Sequence, residues 1–229
     1  MATDLVFDFF GTLVHYTPGP FHTAPYTHTH DYLRQQGFDI PYEAFTAAFE
    51  IASDELEGRA SQTGQEYHME ELGRRFFRVA FDREASEAVV VGFVSAFLKE
   101  WNRGILYIDS LRPFLDRLAT TYRLSVLSNT NYPPLIHTHL SAMGVADLFA
   151  QVFTSVEIGV RKPSPVIFEH ALERLGVSAS DVVYVGDSYA ADYQGASAAG
   201  IRCILIDCDG RYPEVPFRVA SLFDLEHHV

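Results

Sequence analysis

Short apolar runs alternate with longer helical segments along most of this chain, and this alternation limits the fold more than any other feature of the sequence. The runs are residues 5–7, 124–127, 152–154, 182–185 and 203–206. Apolar runs of this length are typical of buried strands. Because strands that alternate with helices build βαβ units, the pattern predicts an α/β fold with a doubly wound parallel sheet.

Residues 21–101 differ from the rest of the chain in the spacing of their apolar residues. Their apolar residues recur at spacings of three and four, as in Phe45, Ala48 and Phe49, which is the period of an amphipathic helix. We therefore predict an α-helical domain inserted into the sheet domain. The predicted boundaries give residues 1–17 and 105–229 to the sheet domain and residues 18–104 to the helical domain, with linkers near Pro18 and Gly104.

Acidic residues outnumber basic residues by 30 to 17, so the formal net charge is −13. Such a charge repels a phosphate backbone, and we expect no nucleic acid partner. No apolar stretch approaches the ~18 residues that a membrane span requires, and the N-terminus lacks the pattern of a signal peptide. We therefore expect a cytoplasmic protein with no membrane partner. Lys99 and Lys162 are the only lysines among the 17 basic residues.

Polar segments follow the predicted strands at four places in the chain. They are residues 8–12, 128–130, 161–163, and 186–188 followed by Asp192. A single Asp at a strand end is usually a helix cap or a turn former. Four such segments together are better explained by a site, because the C-terminal ends of parallel strands share the edge where ligands bind.

These segments resemble, in order and spacing, the four motifs of the haloacid dehalogenase-like hydrolases, a family that includes many phosphatases. The resemblance implies a Rossmann-like core domain, with the helical insertion as the family's cap domain. Asp8 is then the expected nucleophile, which forms a covalent aspartyl intermediate that water hydrolyses. Ser128 and Lys162 represent the second and third motifs, and residues 186–188 with Asp192 represent the acidic fourth motif.

The resemblance also implies a role for individual side chains. The Thr12 hydroxyl is expected to orient Asp8, and Ser128 to donate a hydrogen bond to the substrate. Lys162 is expected to keep Asp8 ionised and to neutralise the charge that develops during transfer. The expected substrate contacts are Phe10, Gly11, Ser128, Asn129, Lys162 and His15. Crowded carboxylates suit a hard cation, and the expected Mg²⁺ ligands are Asp8, Asp187, Asp192 and the backbone carbonyl of Phe10.

Phe10 departs from the phosphatase pattern. Phosphatases of the family usually carry a second Asp there, which protonates the leaving group and then activates water, and a phenyl ring does neither. Haloacid dehalogenases place an aromatic residue at this position, since halide leaves without a proton. Asp187 and Tyr189 favour the phosphatase, because the metal-free dehalogenases have Ser and Asn in their places. The candidates to replace the missing acid are His15, His22, His28 and His30, although lone histidines are more often structural.

The sequence therefore predicts a Mg²⁺-dependent hydrolase that acts on a small phosphate ester and uses Asp8 as its nucleophile. A 2-haloacid dehalogenase, in which the same Asp8 attacks carbon without a metal, is the alternative that Phe10 favours. A third alternative is a catalytically impaired relative whose helical domain binds a partner or ligand. The expected partner is a small-molecule substrate, and the expected assembly is a monomer or a homodimer.

Overall fold

The computed structural model describes residues 2–16 and 25–229. The chain divides into two compact units, of which the first contains Met1–His15 with Tyr107–Val229 and the second contains Tyr16–Leu106. The predicted linker around Pro18, the predicted boundary after residue 17 and His22 lie outside the described residues.

The first unit contains a six-stranded sheet, within the part of the chain that the structure describes. Its strands are β1 (Asp4–Phe7), β4 (Arg123–Ser128), β5 (Phe149–Thr154), β6 (Val182–Gly186), β7 (Arg202–Ile206) and β8 (Arg218–Val219). They lie in the order β5-β4-β1-β6-β7-β8, and every neighbouring pair is parallel. The predicted α/β class with a Rossmann-like parallel sheet is confirmed.

The central strands are buried along their whole length, as a sheet covered by helices on both faces requires. Every residue of β1 and of β6 is buried. The helices of this unit are α5 (Leu111–Ala119), α6 (Pro134–Ala142), α7 (Ser155–Ile158), α8 (Pro165–Leu175) and α9 (Gly195–Ala198). Helix α8 begins with Pro165, whose missing N–H would have no backbone partner in the first turn of a helix. It ends before Gly176, whose φ of +70° is left-handed and incompatible with a right-handed helix.

The sheet register places three strand ends side by side. Phe7 of β1 pairs with Val126 of β4 on one side and with Val185 of β6 on the other. The residues that follow these strands therefore lie together at the C-terminal edge of the sheet. Lys162 does not follow a strand directly, contrary to the sequence prediction, because β5 ends at Thr154 and the short helix α7 lies between them.

The second unit is built from helices α1 (Thr27–Gln35), α2 (Tyr42–Thr63), α3 (Met69–Phe81) and α4 (Glu87–Trp101). The two short strands β2 (Val14–Tyr16) and β3 (Ile105–Tyr107) lie where the chain passes between the units. Aromatic rings fill the interior of the helical unit. The Phe76 and Phe93 rings stack with 4.5 Å between their centroids, and the Phe49 and Phe97 rings stack at 4.3 Å. Among residues 2–16 and 25–229, no helix has both the length and the hydropathy that a membrane span requires.

Candidate active site

Lys162 is the centre of a buried cluster of polar side chains. Its ammonium Nζ lies 2.7 Å from Asp8 Oδ1, 2.6 Å from Asp192 Oδ1 and 2.8 Å from the Tyr184 hydroxyl oxygen. The Lys162 side chain is only 2% exposed. Burial by itself would lower the pKa of Lys162, but the carboxylates of Asp192 and Asp8 outweigh it and raise the pKa above its ordinary value. Lys162 is therefore a fixed positive charge.

The loop that carries Lys162 is held by Asn129, which follows β4. The Asn129 side-chain amide donates to the Lys162 carbonyl at 3.0 Å and accepts from the Lys162 backbone N–H at 2.8 Å. This reciprocal pair fixes the loop backbone, which has no strand to support it at this point. The resemblance implies that Asn129 contacts the substrate, whereas its amide is oriented towards the Lys162 backbone.

Asp8 follows β1 and is buried, and its backbone N–H donates to the Val185 carbonyl at 2.8 Å. Burial raises the pKa of Asp8 to about 7; Lys162 opposes the rise, and the nearby Asp192 and Asp187 carboxylates add to it. Within the part of the chain that the structure describes, Asp8 Oδ2 accepts no hydrogen bond. One oxygen of this carboxylate is thus held by Lys162 and the other is available to a ligand.

Asp187 follows β6 and approaches the loop after β1 closely. A Cβ atom on Gly11 would lie closer than 3.0 Å to the Asp187 carboxylate, and Gly11 has a φ of +88°, so only glycine fits there. Thr12 Oγ1 lies 3.5 Å from Asp187 Oδ1. The Thr12 hydroxyl thus faces Asp187 in this structure, and its action on Asp8 stays a prediction. Displacement of water by the surrounding protein raises the pKa of Asp187 to about 6, with a further contribution from Asp192.

Asp192 lies in the short π-helix Tyr189–Gln194 that follows β6 and is completely buried. Its Oδ1 accepts from Lys162, and its Oδ2 accepts from the Ser188 backbone N–H at 2.9 Å. A side chain at Gly186 would collide with the Asp192 carboxyl group. Both Asp192 oxygens thus already have donors, which makes Asp192 a weaker candidate for metal binding than Asp8 or Asp187.

The three carboxylates have the chemistry of a divalent cation site. Asp8, Asp187 and Asp192 each offer an oxygen within 4.8 Å of the others. With all three ionised, the single ammonium of Lys162 leaves a local charge near −2. Burial is the main cause of the raised pKa values of Asp8 and Asp187, and the neighbouring carboxylates add to it. Hard oxygen ligands of this type match Mg²⁺.

The remaining predicted site residues occupy varied positions. Ser128 is buried at the end of β4, and its Oγ lies 3.4 Å from the Asn129 carbonyl. The Phe10 ring is half-buried and meets the Phe9 ring edge-on at 5.0 Å between centroids.

The candidate histidines have different surroundings. His15 is exposed on β2. In the helical unit, His28 is exposed, and His30 Nε2 lies 2.6 Å from the Ile40 carbonyl oxygen, which gives His30 a structural contact.

Tyr184 belongs to the cluster but was not identified from the sequence. It lies in the middle of β6, and its hydroxyl contacts Lys162 and the Leu127 carbonyl. A signal was present, because a tyrosine inside an otherwise aliphatic buried strand must find a partner for its hydroxyl.

The chain is similar to known hydrolases over most of its length. A family model described as haloacid dehalogenase-like hydrolase matches residues 5–200. A ribulose-1,5-bisphosphate 5-phosphatase of Halopiger xanaduensis is 27% identical over 211 residues, which cover 90% of this chain and 85% of that protein. A phosphoserine phosphatase of Thermus thermophilus is 34% identical over 121 residues, which cover 53% of this chain and 48% of that protein.

The fold is also similar to that of solved structures. A crystal structure of a 2-haloacid dehalogenase from Pseudomonas syringae pv. Tomato superposes with a TM-score of 0.75 at 26% identity, over 99% of this chain and 97% of that one. The similar proteins thus include both phosphatases and a dehalogenase. Their names agree on a hydrolytic reaction and differ in the bond that is broken.

Proposed function

Since the chain belongs to the haloacid dehalogenase-like hydrolase family, we propose that it is a Mg²⁺-dependent phosphatase that acts on a small phosphate ester. The carboxylate cluster carries this proposal. Three acidic side chains share one ammonium, which leaves an excess of negative charge. Burial raises the pKa of Asp8 to about 7, and the Asp192 and Asp187 carboxylates add to the rise. A bound divalent cation supplies the missing charge. Direct attack on a haloacid requires no such excess of carboxylates.

The proposed nucleophile is Asp8. Its free Oδ2 forms a bond to phosphorus while the bond from phosphorus to the ester oxygen breaks, which gives an aspartyl phosphate and the released alcohol or its anion. Water then attacks phosphorus, the bond to Asp8 breaks, and inorganic phosphate leaves. Lys162 holds Asp8 Oδ1, favours the ionised carboxylate before it attacks, and stabilises it again as the leaving group when water hydrolyses the intermediate.

The proposed Mg²⁺ ligands are the Asp8 and Asp187 carboxylates and the Phe10 backbone carbonyl, with Asp192 held back by its own donors. The ion supplies charge neutralisation for the phosphoryl oxygens when it is bound. Gly11 permits Asp187 to approach the nucleophile loop, and Ser128 at the end of β4 is the proposed donor to a phosphoryl oxygen.

Phe10 favours the second candidate function, a 2-haloacid dehalogenase. There, Asp8 Oδ2 forms a bond to the carbon atom, the bond from carbon to halogen breaks, and halide leaves with the electron pair. The aspartyl ester is then hydrolysed by water. The similarity to the 2-haloacid dehalogenase structure supports this candidate, as does the apolar half-buried ring where a phosphatase needs an acid.

One pair of assays separates the two functions. We expect hydrolysis of p-nitrophenyl phosphate by the purified protein, loss of this activity with EDTA, and its return with added Mg²⁺. Halide release from 2-chloropropionate that persists in EDTA, without phosphatase activity, would overturn the proposal in favour of the dehalogenase. The variant Asp8→Asn serves as the control in both assays, since both reactions need the Asp8 carboxylate.

A further inference from the structure

We propose that Tyr184 is a positioning residue that fixes the direction in which the Lys162 ammonium donates its hydrogen bonds. The positioning of the ammonium is argued from the hydrogen bonds of Lys162 and Tyr184 and does not depend on the proposed function. Its effect on turnover rests on the proposed function, because that effect is exerted through Asp8.

The Lys162 ammonium has as many acceptors around it as it has protons. An ammonium group has three N–H donors and no acceptor. Lys162 Nζ has three acceptors between 2.6 and 2.8 Å, which are Asp192 Oδ1, Asp8 Oδ1 and the Tyr184 hydroxyl oxygen. All three donors are therefore used inside the protein. Two of the acceptors carry charge and one is neutral.

The neutral acceptor, the Tyr184 hydroxyl, is itself held by neighbouring groups. The Tyr184 hydroxyl lies 2.9 Å from the Leu127 carbonyl, to which it donates, and 3.1 Å from Asp192 Oδ1. Leu127 immediately precedes Ser128 at the end of β4, whereas Tyr184 lies on β6. The hydroxyl thus connects two strands that flank β1 to the one cation of the cluster.

The Tyr184 ring is held in place by its packing in the core. Tyr184 is completely buried, and the Phe168 ring of α8 packs edge-on against it at 5.1 Å between centroids. The hydroxyl oxygen therefore has a fixed position, because the ring cannot turn away without opening the core. A fixed acceptor on one N–H also fixes the rotation of the other two, which point to Asp8 and Asp192.

This arrangement changes the expected role of Lys162. The resemblance implies that Lys162 contacts the substrate directly, but no ammonium proton remains for a phosphoryl oxygen while the three contacts persist. Lys162 then acts through Asp8, and Tyr184 keeps it in place. In Tyr184→Phe the ring remains, one ammonium proton loses its acceptor, and the Leu127 carbonyl loses its donor.

The chain's lysine content makes a direct test possible. Because the protein has only Lys99 and Lys162, labelling with ¹⁵N-lysine gives two ammonium signals. Lys99 is exposed on α4. We expect slow exchange with solvent for the Lys162 ammonium in the wild-type protein, and exchange at least about tenfold faster in Tyr184→Phe. Wild-type exchange as fast as that of Lys99, or no change in the variant, would overturn the proposal.

Steady-state kinetics with p-nitrophenyl phosphate provide the second readout. We expect Tyr184→Phe to lower kcat about tenfold and to change KM by less than about twofold, because the loss affects the reacting carboxylate and not ground-state binding. Tyr67→Phe is the matched control. Tyr67 is also buried, and its hydroxyl donates to Glu57 in the helical unit at 2.7 Å, so its loss should leave kcat and ammonium exchange unchanged.

The two readouts separate this proposal from the proposed function. A wild-type protein without phosphatase activity contradicts the proposed function, and the exchange measurement still decides whether Tyr184 positions Lys162. Unchanged kcat in Tyr184→Phe of an active enzyme contradicts the positioning role, even if exchange becomes faster. An equal loss of kcat in Tyr67→Phe would indicate a general structural effect and would also contradict it.

Discussion

The two units of this protein use the same ion-pair chemistry in opposite surroundings. In the sheet unit, the side chains of Lys162, Asp8 and Asp192 are at most 9% exposed. In the helical unit, Arg75 and Glu55 form a pair whose side chains are 38% and 47% exposed. Burial raises the pKa of Asp8, whereas the hydrogen bond from Arg75 lowers the pKa of Glu55.

Charge balance explains this difference. Each of several glutamates on the helical unit faces its own arginine, as in the pairs Arg75–Glu55, Arg59–Glu71 and Arg74–Glu87. In the sheet unit, three carboxylates share one ammonium. Exposed and balanced charges are screened by water and contribute little. Buried and unbalanced charges, such as those of Asp8 and Asp192, are electrostatically unfavourable, and a bound cation would reduce this cost.

The largest expected effect tests whether the buried cluster carries the reaction. Asp8→Asn should lower kcat/KM for p-nitrophenyl phosphate by about 10⁴-fold or more, because the amide is no nucleophile. Glu55→Gln, which removes a carboxylate from an exposed pair, should leave the rate unchanged. Comparable losses in the two variants would show that the contrast between the units has no bearing on catalysis.

The next effect concerns stability and uses the two lysines. Lys162→Met leaves the Asp8 and Asp192 carboxylates without their cation, and we expect it to lower the free energy of unfolding by about 3–5 kcal/mol at pH 8. The loss should be smaller at pH 5, where protonation removes the uncompensated charge. Urea unfolding at the two pH values measures this. Lys99→Met, at an exposed site, is the control, and an equal loss there would refute the argument.

A third prediction concerns Mg²⁺ and pH. The pKa values of Asp8 and Asp187, about 7 and 6, lie above those of unfolded carboxyl groups. The folded state thus binds more protons between pH 4 and pH 7, and the metal-free protein should lose stability as pH rises through this window. Protons compete with the metal, so the affinity for Mg²⁺ should be at least about a hundredfold higher at pH 8 than at pH 5.

Isothermal titration with Mg²⁺ at the two pH values measures this affinity. Asp187→Asn is the appropriate control, because it removes one proposed ligand and should abolish the binding at pH 8. Equal affinity at both pH values would mean that Mg²⁺ does not bind through the Asp8 and Asp187 carboxylates.

The smallest effect is expected in the helical unit. Glu71→Gln removes an exposed partner of Arg59, whose side chain is 50% exposed. The thermal unfolding midpoint should not change by a resolvable amount, since exposed pairs of this kind are worth little. A clear decrease would mean that the arginine and glutamate pairs on this unit act together as a network.

The five predicted strands agree closely with the structure, because each apolar run is long enough to show that it is buried. The strands β2, β3 and β8, of two or three residues each, were not predicted. The run at residues 152–154 is the least exact, since β5 already begins at Phe149. The prediction that Lys162 directly follows a strand was wrong for a related reason. The four-residue helix α7 is too short to produce a periodic pattern, so the loop beyond it was assigned to a strand end.

Individual contacts within the site were less predictable. The resemblance implies that Thr12 serves Asp8, but a loop turned by Gly11 directs the Thr12 hydroxyl towards Asp187. The Asn129 side chain forms two hydrogen bonds with the Lys162 backbone, and no local sequence pattern indicates them. Both contacts depend on the angle at which one loop meets another.

The sequence by itself determined the class of fold, the family and the set of acidic residues at one edge of the sheet, because periodicity and motif order are local properties of the chain. The tertiary structure alone decided which oxygen meets which donor and how far each pKa moves. Asp8 and Lys162 are 154 positions apart, and Thr12 and Asp187 are 175 apart. Electrostatic energies depend on distance and burial, and only the packed sheet and its loops set these quantities.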